Sequence, residues 1–165
     1  QLDGRLMLVR EGEERYRPVR DGSTFRDWLE TGEPTVEDLA YHATTLFPPV
    51  RPRGWLEIRY LDAQDPVTWP VCVAVTHALI TDDRAAAAAL EAAGPYRELW
   101  EVAARCGLSD PRLRGAAEEC FRAALEALPR TGADADLVAA VAAFADRHVT
   151  TGRSPAADLI DGGWT

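Results

Sequence analysis

Trp55-Leu56-Glu57-Ile58-Arg59-Tyr60-Leu61-Asp62 alternates with the period of a β-strand, and it stands just before the point where the chain turns helical. Leu56, Ile58 and Tyr60 fall on one side, and Trp55, Glu57, Arg59 and Leu61 on the other. Ala63-Gln64-Asp65-Pro66 ends the strand, and from residue 67 the spacing is that of helices. Expected segments run from Val67 to Leu79 (interrupted near its start by Pro70), Asp83 to Ala93, Tyr96 to Cys106, Asp110 to Leu128 and Ala133 to Thr150. A last turn is capped by Ser154-Pro155 before a Gly162-Gly163 tail. Leu137, Val141, Phe144 and His148 are spaced as one buried stripe.

Upstream of the strand the chain is mixed and rich in turns. Residues 5–10 and 15–19 flank Glu11-Gly12-Glu13-Glu14 as a β-hairpin. Thr24 to Glu30 reads as a short helix. Thr35-Val36-Glu37-Asp38 is a capping box opening a second helix that runs toward Phe47 and stops at Pro48-Pro49. Val50-Arg51-Pro52-Arg53-Gly54 reads as a rigid basic loop. The expected architecture is α+β: a few antiparallel strands (near 5–10, 15–19 and 54–61), then a mainly helical region. Residues 1–66 and 67–165 are expected to be two parts of one domain, because no flexible linker separates them.

The 165 residues carry 18 Lys plus Arg against 27 Asp plus Glu, a net charge of −9, and all the cations are arginine. That balance argues against a nucleic-acid or anionic-membrane surface, which needs a basic face. No run approaches the roughly 18–20 apolar residues of a membrane helix. Three cysteines without motif spacing (Cys72, Cys106 and Cys120) suit reduced thiols in the cytoplasm. The chain opens without Met, which suggests an origin inside a longer reading frame and sheet partners in a missing N-terminal portion.

The densest polar constellation lies between residues 42 and 62: His42, Thr44, Thr45, Arg51, Arg53, Glu57, Arg59 and Asp62. Glu57 and Arg59 share a strand face about 6.5–7 Å apart along the chain. A carboxylate there can hold a hard divalent cation, and an arginine beside it can clamp phosphate or carboxylate with its planar fork. The same alternation is also the ordinary pattern of a solvated ion-pair face. Trp55 and Leu61 on that face count against pure solvation, and spacing leaves both readings open. His77 reads as a packed helix residue, His148 as a helix-end cation and the three cysteines as small hydrophobes. Ala85 to Ala89 reads as helix propensity alone.

The block from Tyr41-His42-Ala43-Thr44-Thr45-Leu46-Phe47-Pro48-Pro49 through Val50-Arg51-Pro52-Arg53-Gly54 to Trp55-Leu56-Glu57-Ile58-Arg59-Tyr60-Leu61-Asp62 resembles the signature of glutamate–cysteine ligases. The match is to the plant-type group and its bacterial relatives, most of all the branch serving ergothioneine synthesis. It continues through Trp69 to Asp82 and returns at Arg153 to Asp158. The resemblance implies a glutamine synthetase-like catalytic fold, of which this chain is the C-terminal portion. It implies ATP and Mg²⁺ as cofactors, and glutamate and cysteine as substrates joined through an acyl phosphate. By the same resemblance Glu57 is a metal ligand, while Arg59 and Arg51 act on transferring phosphate or substrate carboxylate. Arg53 occupies a Lys/Arg position, and Thr44 and Thr45 match a hydroxyl pair beside the glutamate pocket. His42 matches too, as a binding residue or as a helix-packing one. Pro49 departs from the plant-type pattern, which has Glu there. The other carboxylate ligands of the family come from its N-terminal half, so the fragment alone is expected to be inactive. A ligase with another acceptor amine, or a non-catalytic helical interaction domain, remains the alternative.

Overall fold

The computed structural model describes residues 2–12 and 15–162, and the chain divides into two compact units, residues 1–61 and 62–165. In the first unit, β1 (Leu8–Arg10) pairs antiparallel with β2 (Tyr16–Pro18) in the register Leu8↔Pro18, Val9↔Arg17 and Arg10↔Tyr16. The expected turn residues Glu13 and Glu14 lie outside the described residues, as does Gly163 of the expected tail. Two short helices follow, α1 (Phe25–Leu29) and α2 (Val36–Thr45), each opened by a reciprocal capping box. The Thr24 and Thr35 hydroxyls accept the N–H groups of Asp27 and Asp38, whose carboxylates accept the Thr N–H groups in return. Each box satisfies two backbone donors that a helix start leaves unpaired.

The interior of this unit is small. Among its described residues only Leu6, Phe25, Asp38 and His42 are buried. Phe25, 1% exposed, stacks on the His42 ring at 5.0 Å and meets Trp28 edge-on at 5.5 Å.

The segment expected to be a loop is a strand. β3 (Val50–Pro52) pairs antiparallel with β4 (Leu56–Ile58), in the register Val50↔Ile58, Arg51↔Glu57 and Pro52↔Leu56. Pro52 lacks a backbone donor, which suggested a loop. In a two-stranded ribbon, however, each strand is an edge, and an edge tolerates proline. The regular strand is also shorter than the expected 54–61, although the Arg59 N–H extends the pairing to the Pro49 carbonyl at 2.8 Å. The two hairpins form separate two-stranded sheets.

The second unit is helical: α3 (Trp69–Thr81), α4 (Asp83–Ala93), α5 (Trp100–Cys106), α6 (Pro111–Ala127), α7 (Ala135–Phe144) and α8 (Pro155–Asp161). Pro70 does not interrupt α3. It occupies the first turn, where its missing N–H would be unpaired in any case. Asp82, Asp110, Asp134 and Ser154 cap α4, α6, α7 and α8 through side-chain oxygens. The single helix expected from Tyr96 is a 3₁₀ turn at Gly94–Tyr96 followed by α5, and the helix expected to reach Thr150 gives way after Phe144 to a π-helical turn, Ala145–Val149.

The core joins Val71, Ala74, Val75 and Ala78 of α3 to Ala85 of α4, to Ala123, Ala124, Ala127 and Leu128 at the end of α6, and to Val141 of α7. Alanine contributes more than helix propensity here: Ala85 is buried and Ala88 packs against the core, so small side chains let the helices approach closely. The expected stripe is present, with Val141 and His148 buried and Leu137 and Phe144 packed on the core. Two other expectations fail. His77 is exposed, and His148 is interior, its ring 4.7 Å from that of Phe144. Cys106 is exposed, whereas Cys72 and Cys120 are half-buried and burial pushes both thiols up. Among the described residues no helix is long and apolar enough to cross a membrane.

Candidate functional site

The β3–β4 hairpin concentrates the charged residues singled out in the sequence. Gly54 has φ +80°, a conformation that glycine adopts without Cβ strain, and the Arg53 N–H closes the turn on the Trp55 carbonyl at 2.7 Å. The turn fixes the register, and the register puts Arg51 directly across the ladder from Glu57. Directly opposed residues project from the same face, so their side chains meet. Arg51 Nε donates to Glu57 Oε2 at 2.7 Å, and Arg51 Nη2 approaches the same oxygen at 2.7 Å. Arg53 Nε lies 3.6 Å from that oxygen, and Arg59 Nε lies 3.9 Å from Oε1. Arg59, two residues from Glu57 on the same strand face, also lays its guanidinium over the Phe47 ring, 5.3 Å from the centroid.

Three guanidinium groups around one carboxylate leave this cluster net cationic. The Arg51 hydrogen bond is the largest influence holding the Glu57 carboxyl below the usual range; partial burial opposes it, and the charges of Arg51, Arg59 and Arg53 add to it. Arg59 Nη1 is buried without a hydrogen-bond partner. An unpaired guanidinium N–H calls for an acceptor, and the planar fork suits phosphate or carboxylate oxygens.

The same donor set can be tested for a divalent cation. Mg²⁺ takes carboxylate and water oxygens in octahedral array. The hairpin offers one carboxylate, already bonded to Arg51 and surrounded by positive charge. Among the described residues no three His, Cys, Asp or Glu side chains gather where they could hold a metal ion. The residues present therefore fit an anion and do not fit Mg²⁺. A metal role for Glu57 requires its release from Arg51 and further donors from elsewhere.

The remaining candidates are on or beside α2. The Thr44 hydroxyl donates to the Tyr41 carbonyl and the Thr45 hydroxyl to the His42 carbonyl, both at 2.7 Å, so each hydroxyl retains its lone pairs for an incoming donor. His42 is 3% exposed and stacked on Phe25, a packing position. Arg51, Arg53, Glu57 and Arg59 are thus brought together by the hairpin, while Thr44, Thr45 and His42 are set by the helix. The sequence reading missed the cross-strand Arg51–Glu57 pair and the Phe47 support of Arg59. A glycine between two short β-compatible runs was the available signal for the pairing.

The model of the glutamate-cysteine ligase family 2 (GCS2) matches residues 6–163. The chain belongs to this family. It is 41% identical over 167 residues to glutamate–cysteine ligase EgtA of Mycobacterium tuberculosis, covering 97% of this chain and 37% of that protein. It is 44% identical over 150 residues to the EgtA of Mycolicibacterium smegmatis, covering 87% of this chain and 34% of that one. A glutamate–cysteine ligase family chain of this length thus spans little more than a third of the curated relatives it matches. No solved structure matches it.

Proposed function

We propose that this chain is the C-terminal portion of a cytoplasmic, ATP-dependent glutamate–cysteine ligase of ergothioneine biosynthesis, and that its β3–β4 hairpin supplies the anion-binding side of the active site. The arginine cluster of Arg51, Arg53 and Arg59 about Glu57, with one buried Arg59 N–H group unpaired, carries this reading. Family membership and the named activity of the relatives support it.

In the proposed reaction the glutamate γ-carboxylate receives the terminal phosphoryl group of ATP, releasing ADP. The cysteine amine then displaces phosphate and loses a proton as the amide forms. Phosphoryl transfer is catalysed chiefly by positioning and charge neutralisation. Arg59 and Arg51 would bind the transferring phosphoryl or the substrate carboxylate, and Arg53 would add long-range attraction from the turn. Glu57 holds Arg51 in place by a charge-assisted hydrogen bond. Thr44 and Thr45 would offer hydroxyl oxygens to the glutamate ammonium, and His42, packed on Phe25, anchors their helix in the interior. The open edges of both hairpins, and the exposed Trp55 and Leu56 beside the cluster, suit a larger antiparallel sheet of glutamine synthetase type completed by the rest of the protein. The 165-residue chain alone is accordingly inactive in this proposal.

The test is ADP release by the full-length protein with ATP, Mg²⁺, glutamate and cysteine, omitting each in turn. Release that requires both amino acids, and falls about 10²–10³-fold in Arg59→Ala and Arg51→Ala, supports the reading. Undiminished activity in both variants would make the hairpin a non-catalytic surface. Turnover with another amine in place of cysteine would keep the ligase and change its acceptor.

A further inference from the structure

The helical unit carries an open-mouthed cavity of about 570 Å³, within the range typical of small-molecule sites. It is bounded by the segment leading into α3, by α7 with its π-helical turn, and by α8. Its walls are mostly apolar, with Val71, Phe144 and Leu159 among them. We propose that this cavity binds a small organic cation, a protonated amine carried on an apolar body. The proposal does not depend on the ligase reading, which concerns the other unit.

Charge is the first argument. Three carboxylates, Asp62, Asp65 and Asp158, face the cavity against one guanidinium, Arg147. Two of the three are committed to the protein. Asp65 accepts the Thr68 hydroxyl at 2.5 Å and the Val67 N–H at 2.7 Å. Asp158 accepts Arg147 Nε and Arg153 Nε, each at 2.8 Å, and Arg147 is committed by the same bond. The Asp62 carboxylate has no partner among the described residues, so the uncommitted charge at the cavity is negative.

His148 is the second argument. Its side chain is 8% exposed, it lines the cavity, and its Nδ1 is buried without a hydrogen-bond partner. Nε2 stands 3.9 Å from Asp158 Oδ2, too far for a hydrogen bond. An N–H donor seated in the cavity that His148 lines would give this nitrogen the partner it lacks. The residue belongs to the π-helical turn, a local distortion that frequently marks functional sites in helices. An ammonium group supplies the missing donor and answers the Asp62 charge. Phe144 adds an aromatic face.

Calorimetric titration of the chain with 2-phenylethylamine, compared with 3-phenylpropionate, tests the proposal, since the two share a body and differ in the sign of the head group. The expected result is one saturable site that prefers the amine by about tenfold or more, the factor that ~1.4 kcal/mol represents. Asp62 is exposed, so Asp62→Asn should fold normally and weaken the amine by a similar factor. Intermolecular NOEs from the amine ring to the Val71 and Leu159 methyls should locate it. Equal or better binding of the acid, unchanged affinity in Asp62→Asn, or no saturation at millimolar amine would each overturn the proposal.

Discussion

Replacing Phe25 by Ala should nearly exhaust the stability of the unit that carries the arginine hairpin. Phe25 is 1% exposed and is the only large apolar side chain fully buried among the described residues of 1–61. Removing a buried Phe ring costs roughly 3–5 kcal/mol, and the His42 and Trp28 rings that flank it lose their common partner. A unit of this length holds roughly 3–9 kcal/mol in total, from about 0.05–0.15 kcal/mol per residue. The loss is therefore comparable with everything the unit has. Hydrogen exchange read by mass spectrometry over residues 25–45 measures it directly: protection in Phe25→Ala should fall by roughly two to four powers of ten. Phe25→Leu, which keeps much of the volume, should cost about 1–1.5 kcal/mol. A fall of less than tenfold in Phe25→Ala would refute the view that this ring organises the unit.

Other outcomes can be checked on the same chain. Gly152 has φ +68° and a Cβ there would stand 2.6 Å from the Leu108 carbonyl oxygen, whereas Gly132, φ +90°, has open space. Gly132→Ala should cost about 1–2 kcal/mol for its backbone conformation alone, and Gly152→Ala clearly more, as compared by urea midpoints. Asp82 is held at about 2, chiefly by its hydrogen bond to the Arg130 side chain and then by the Ala85 N–H. Its folded value lies below its usual 3.8, so its contribution is present above that value and fades as pH falls toward about 2. Asp82→Asn should flatten the acid limb of a thermal-stability profile between those values. Leu128→Ala, at a position 1% exposed in a buried cluster whose other members are alanines and valines, should cost about 3–5 kcal/mol in thermal unfolding.

Much of this architecture is written in local chemistry. Thr24 and Thr35 each stand three residues before an aspartate, and Asp82, Asp110, Asp134 and Ser154 each precede a helical run, so the starts of six helices are readable from short-range hydrogen bonding. What was not readable depends on partners distant in sequence or on backbone register. Val50–Pro52 looks like a loop until Leu56–Ile58 is laid beside it. The stripe from Leu137 to His148 carries a helical spacing straight through Ala145–Val149, and nothing in that spacing announces a π turn. At the hairpin, period two alone put Glu57 and Arg59 on one face. Arg51 joined them only through the pairing, and Arg59 found Phe47 only in three dimensions.

The all-guanidinium character of the hairpin has a chemical consequence. An acyl phosphate is an acylating agent, and the nucleophile most at risk beside one is a free amine. Arg51, Arg53 and Arg59 deliver positive charge without a nucleophilic lone pair, and no lysine side chain exists anywhere in the 165 residues. An activated carboxyl group held against this surface would meet no side-chain amine of this chain with which to form a dead-end amide. Lysine-directed labels and cross-linkers would likewise find no side chain here to modify.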